Sequence, residues 1–121
     1  MSTVHMIVGT LVILGFAATL VLNVMSALRG VEFRWQRAIS FGSATLLILQ
    51  YMLGFSLLGE GRDIPAMHYL IALASIIPVG LEHMYAGTRP SIRQRGLMGA
   101  ILNAATLALV IIAYVIGETN T

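Results

Sequence analysis

The stretch GTLVILGFAATLVLNV, residues 9–24, carries no charged side chain, and its one amide is Asn23. Nothing in it alternates with the period of two that a strand would show. Followed outward, the apolar run extends from about residue 4 to residue 28. That is enough helix to cross the roughly 30 Å of hydrocarbon in a bilayer. Three further segments of the same kind lie at about 38–58, 66–86 and 97–116. Within the four, Glu82 is the only side chain that is always charged at neutral pH. Lipid admits only helices and closed barrels, so four transmembrane helices are expected.

Composition points the same way. Of the 121 residues 58% are hydrophobic and 10% charged, and the mean hydropathy is +0.89. A water-soluble domain of this size leaves too much of its surface open to hide that much apolar material. Cysteine is absent, which excludes thiolate metal sites, thiol nucleophiles and disulfides. The seven basic residues are all arginine, and the net charge is +2. They are confined to short loops and form no extended basic face, so no nucleic-acid partner is expected. No cleavable leader is expected either. The start MSTVHMIVG lacks a positive region, and the apolar run after it is too long.

The connections RGVEFRWQR, GEGRDIP and GTRPSIRQRG are short. Short links make successive helices antiparallel neighbours, which predicts a single domain over 1–121, all-α, an up-down four-helix bundle. Pro65 is expected in the first turn of the third helix, with Asp63 as its cap. Arg29, Arg34 and Arg37 lie in the first loop and Arg89, Arg93 and Arg95 in the third, while Arg62 stands in the second beside Glu60 and Asp63. The arginine-rich side should be cytoplasmic, placing both termini on the outer side of a bacterial inner membrane, with Trp35 and Phe33 at the inner headgroup belt.

Polar residues inside such helices are costly and point to function. His5 opens the first helix and His68 the third. Those helices run in the same direction, so the two imidazoles are expected at matching depth near the outer surface. Small or polar neighbours accompany them. Gly9 lies one turn after His5, Ala72 and Ser75 follow His68, and Gln50 and Gly54 occupy the same half of the second helix. Small residues beside a histidine leave room for something flat, though they also let helices approach closely. Two neutral imidazoles on parallel helices suit the two axial positions of a haem, here a haem b with His5 and His68 on the iron and Arg62 near its propionates. Met6 and Met67 flank the histidines as variant ligands. Zinc suits the pair less well, since no Cys, Asp or Glu cluster accompanies it.

The pattern of a histidine opening one helix, LQYMLG in the next and MHYLIALA opening the third resembles a half-repeat of the haem A synthase (cytochrome oxidase assembly) family. In that family each four-helix half holds a haem between histidines on alternate helices, with a Gln-x-x-Leu-Gly motif before the second. Here the motif runs from Gln50 through Tyr51, Met52 and Leu53 to Gly54. The resemblance covers roughly residues 5–75. It departs at the family's catalytic glutamate, whose position holds Ser2, and at the His-Arg pair, which is His5-Met6. The resemblance therefore implies haem binding without haem A synthesis.

The expected function is an electron-transfer or accessory subunit of a respiratory or photosynthetic complex, with no catalytic residues of its own. Its partners would be membrane lipid, a larger membrane complex or a second copy, and a quinone or periplasmic electron carrier. The alternative is a structural membrane subunit of an energy-transducing complex without haem, or one binding a chlorin pigment or quinone. Two further readings are structural. Glu82 and His83, about 22 Å from His68 at 1.5 Å per residue, are expected to form a helix-end ion pair with Arg89 or Arg93 rather than a quinone or proton site. Asn23 and Asn103 are expected to pair between helices.

Overall fold

A computed structural model describes residues 3–60 and 64–119. It is all-helical, with no strand among the described residues. The helices are α1 (Thr3–Arg29), α2 (Gln36–Leu57), α3 (Ala66–Ala74), α4 (Ile76–Tyr85) and α5 (Ile92–Thr119). Single 3₁₀ turns follow α2 at Leu58–Glu60 and α4 at Ala86–Thr88. Four spans are long and apolar enough to cross a membrane: α1, α2, the series Ala66–Thr88, and α5.

The ends of these helices have local causes. α1 stops at Gly30, whose φ of 68° is in the left-handed region, and its N–H returns to Ser26 O at 2.8 Å. The Arg93 guanidinium donates to the free carbonyls of Ala27 and Leu28 and so caps α1 from α5. Pro65 stands just before α3 rather than inside its first turn, with the extended ψ of 141° typical of a residue leading into a helix. The expected cap Asp63 and the expected propionate partner Arg62 lie outside the described residues. α5 begins at Ile92, earlier than the apolar pattern suggests, because the polar run IRQR is helical as well.

The third span is two helices rather than one. Pro78 has no N–H to offer Ala74 and its ring crowds that carbonyl. The ladder breaks at Ser75, whose N–H is shared between Ile71 O at 3.2 Å and Ala72 O at 3.3 Å. The Ser75 hydroxyl also donates to Ala72 O, holding the turn at the break.

α1 packs closely on both α2 and α5, and α5 in turn on α3 and α4. α2 meets α3 and α4 chiefly through side chains, Tyr51 near one end and Ser40 near the other. The bundle is therefore a ring with one loose seam. An apolar layer of Val12, Phe16, Leu47, Val79 and Val110 crosses its middle. Away from that layer the inside is polar. Thr19, Ser26, Ser75, Asn103 and Thr106 are fully buried, whereas Leu14, Leu70, Ile77 and Ile101 on the outer faces are 60–62% exposed. The buried hydroxyls are satisfied locally, Thr19 on Gly15 O at 2.8 Å and Thr106 on Leu102 O at 3.0 Å. Large apolar groups outside and hydrogen-bonded polar groups inside invert the usual order of a water-soluble bundle.

Candidate functional site

The histidine end of the bundle contains a small cavity of about 80 Å³, below the range of drug-sized ligand sites. His5, Gly9, Gln50, Gly54, His68 and Ala72 all line it. It lies against the loose seam, between α1 and α2 on one side and α3 on the other. His5 and His68 come from helices on opposite sides of the interior, and the imidazoles are near enough to interact electrostatically. Met6 lines the same cavity, while Met67 is 53% exposed.

Each imidazole rests on a glycine. The position a Cβ would take at Gly117 is 2.8 Å from His68 Cε1 and 3.0 Å from its Nδ1. At Gly54 the corresponding position is 3.3 Å from His5 Cε1. Any side chain at 117 would therefore displace the His68 ring. At Gly9 a Cβ would come within 3.0 Å of Gln50 Nε2 and 3.3 Å of the Tyr114 ring.

His68 is held in a defined tautomer. Its Nδ1 is 2.7 Å from Ala113 O on α5. A carbonyl oxygen only accepts, so Nδ1 carries the hydrogen, and in the neutral ring Nε2 keeps its lone pair. Metal-binding histidines are oriented in this manner, with the distal N–H on a carbonyl. The Tyr69 ring meets His68 edge-on, with centroids 5.3 Å apart. The Nε2 of His5 faces Gln50 Nε2 at 3.4 Å, a long contact for a hydrogen bond. Gln50 Oε1 is buried with no hydrogen-bond partner among the described residues. The groups that a ligand in this cavity would meet include the His68 ring and the buried Gln50 Oε1. No cluster of three or more His, Cys, Asp or Glu occurs among the described residues.

Sequence reasoning missed three contributors. Tyr51 donates to Ala72 O at 2.6 Å and lies 2.7 Å from Ser75 Oγ, pinning α2 to the break between α3 and α4. Tyr114 and Gly117 bring α5 into the wall. Gly117 belongs to a run of small residues at helical spacing along α5, Gly96, Gly99, Asn103, Thr106, Ala113 and Gly117, all buried, which marks a packed face without singling it out.

The arginine-bearing end holds a second, polar cavity of about 360 Å³. Asn23 and Asn103 do pair, the Asn23 amide donating to Asn103 Oδ1. The expected ion pair of Glu82 is corrected. Its carboxylate accepts from Ser40 Oγ at 3.0 Å and Asn103 Nδ2 at 2.7 Å. Arg93 is occupied with the carbonyls of α1, and Arg89 donates to Thr88 Oγ1 at 3.2 Å. His83 points elsewhere and stacks on Phe41 with ring centroids 4.8 Å apart.

No family model matches the chain, and no curated protein or solved structure matches it.

Proposed function

We propose that this chain is a multi-pass membrane protein that holds a b-type haem between His5 and His68 and passes single electrons. The observation that carries the reading is the His68 tautomer, with Nδ1–H committed to Ala113 O and the lone pair of Nε2 available at a cavity that His5 shares. Haem held by two histidines supplies one-electron chemistry without an open position for oxygen. The chain's own residues would do the rest. Gly54 and Gly117 leave room for the imidazoles, Gln50 meets His5, and Tyr51 fixes the seam beside the cavity. The sequence resemblance to a haem A synthase half supports the same reading, and Ser2 in place of the glutamate argues against that synthesis.

The apolar outer faces favour lipid as the surrounding solvent. Six of the seven arginines gather at one end, which the charge rule puts in the cytoplasm. The histidine end and both chain termini then face outward across a bacterial inner membrane. A quinol or a periplasmic carrier could exchange electrons there, and a larger complex or a second copy would extend the single bundle.

The test is a reduced-minus-oxidised absorbance spectrum of the full chain, expressed with ample haem. Sharp low-spin bands are expected in the native protein, and their loss in both His5→Ala and His68→Ala. A colourless native protein overturns the reading and leaves a structural subunit. Topology has its own test. A cysteine in Glu60→Cys should react with an impermeant thiol reagent added to intact cells. Labelling only after lysis would reverse the orientation.

A further inference from the structure

The second cavity poses a question that the haem reading does not touch. Glu82 is 7% exposed and sits on the floor of that cavity. The described charged and titratable groups around it are Glu32 before α2, Arg37 on α2, His83 on α4 and Arg95 on α5; α1 contributes the neutral Asn23 and Ser26. None of them touches the carboxylate. Its two hydrogen-bond partners, Ser40 and Asn103, are neutral. A buried carboxylate without a cation in contact is expensive as an anion and far less so as an acid.

The neighbouring amides are directional. Ser26 Oγ donates to Gln36 Oε1 at 2.9 Å, and Gln36 Nε2 donates to Asn23 Oδ1 at 2.8 Å. Asn23 Nδ2 donates to Asn103 Oδ1, and Asn103 Nδ2 to Glu82 Oε2. Asn103 must therefore present its N–H to the carboxyl, since its oxygen already accepts from Asn23. This makes Oε2 an obligatory acceptor. Oε1 faces Ser40 Oγ, and a hydroxyl can either donate or accept. A proton on Oε1 can thus be donated to Ser40, with the serine hydrogen turned toward the cavity that Ser40 also lines.

We propose that Glu82 is a proton-binding site in which Oε1 carries the proton and exchanges it, through the Ser40 hydroxyl, with water in the cavity at the arginine-bearing end. The apolar layer of Val12, Phe16, Leu47, Val79 and Val110 separates this site from the histidine cavity, so exchange is one-sided. The step is a balanced proton transfer: a hydronium in the cavity gives its proton to Ser40 Oγ and is left as water while the serine hydrogen passes to Glu82 Oε1, and release runs in reverse. No electron moves and no haem is required.

Infrared spectroscopy of the full chain in lipid nanodiscs tests this. At neutral pH a protonated-carboxyl C=O band should be present, shift in D₂O, and vanish in Glu82→Gln. The triple variant Glu32→Gln, Glu60→Gln, Glu118→Gln leaves Glu82 as the sole glutamate and should retain the band, so assignment does not depend on altering Glu82 or its hydrogen-bond partners Ser40 and Asn103. Ser40→Ala should keep the band and slow its shift in D₂O at least tenfold, and Ser40→Thr should restore the rate. Absence of the band from both native and triple-variant protein would show an ionised Glu82 and overturn the site. An exchange rate unchanged in Ser40→Ala would overturn the serine route.

Discussion

With Gly117→Leu, haem occupancy should fall at least tenfold although both imidazoles remain in the chain. The argument starts from space. A Cβ at 117 would lie 2.8 Å from His68 Cε1 and 3.0 Å from Nδ1, closer than carbon and nitrogen approach without bonding. A leucine extends further in the same direction, so the ring must swing away. In moving it gives up the Ala113 carbonyl that fixes its tautomer. Losing such an orienting partner typically costs roughly 10–100-fold in metal affinity. The readout is the b-type absorbance per chain after purification, with far-UV circular dichroism to show that the helices persist. A full spectrum from a helical Gly117→Leu protein would mean that His68 needs no support from α5, and would remove the main geometric argument for the site.

This residue also shows where sequence reading reaches its end. The four spans were legible because each needs only length and low charge. The histidine pair was legible because a polar residue in such a span stands out. His5, Gly9, Gln50, Gly54, His68 and Ala72 line one cavity, as their shared depth implied. Gly117 was not found, because a glycine near the end of an apolar helix resembles any other small residue until its neighbour is known. The break at Ser75 had a visible cause in Pro78, but whether a span bends or continues depends on which side chains hold the turn there. Here those are Ser75 itself and Tyr51 from α2, both donating to Ala72 O. Glu82 was misread for a similar reason. The arginines nearest in sequence are spent on the carbonyls of α1 and the turn after α4. The true partners come from α2 and α5, and only the packing brings them together.

The close packing of α1 on α5 yields the second large effect, in which one substitution has opposite signs at two glycines. Glycine is the weaker helix former, and alanine in its place gains about 0.8–1.0 kcal/mol in a helix interior. At Gly80 on α4 a Cβ would meet nothing within 4 Å, so Gly80→Ala should stabilise by about that amount or somewhat less. At Gly96 on α5 the same Cβ would lie 2.7 Å from Ala27 N and 2.8 Å from Asn23 O. These are backbone atoms of α1 and cannot rotate aside, so the helices must part. Overpacking of this kind costs roughly 1–3 kcal/mol. It also draws Asn23 away from Asn103 and Gln36 from Asn23, loosening the chain of amides that ends on Glu82. Overpacking and amide loosening together outweigh the gain in propensity, and Gly96→Ala should destabilise by about 1 kcal/mol or more. Unfolding in mixed micelles with increasing dodecyl sulfate, followed by loss of helicity, compares the two variants directly. If Gly96→Ala proves as stabilising as Gly80→Ala, α1 and α5 are not in backbone contact there. The amide chain would then need another source for its alignment.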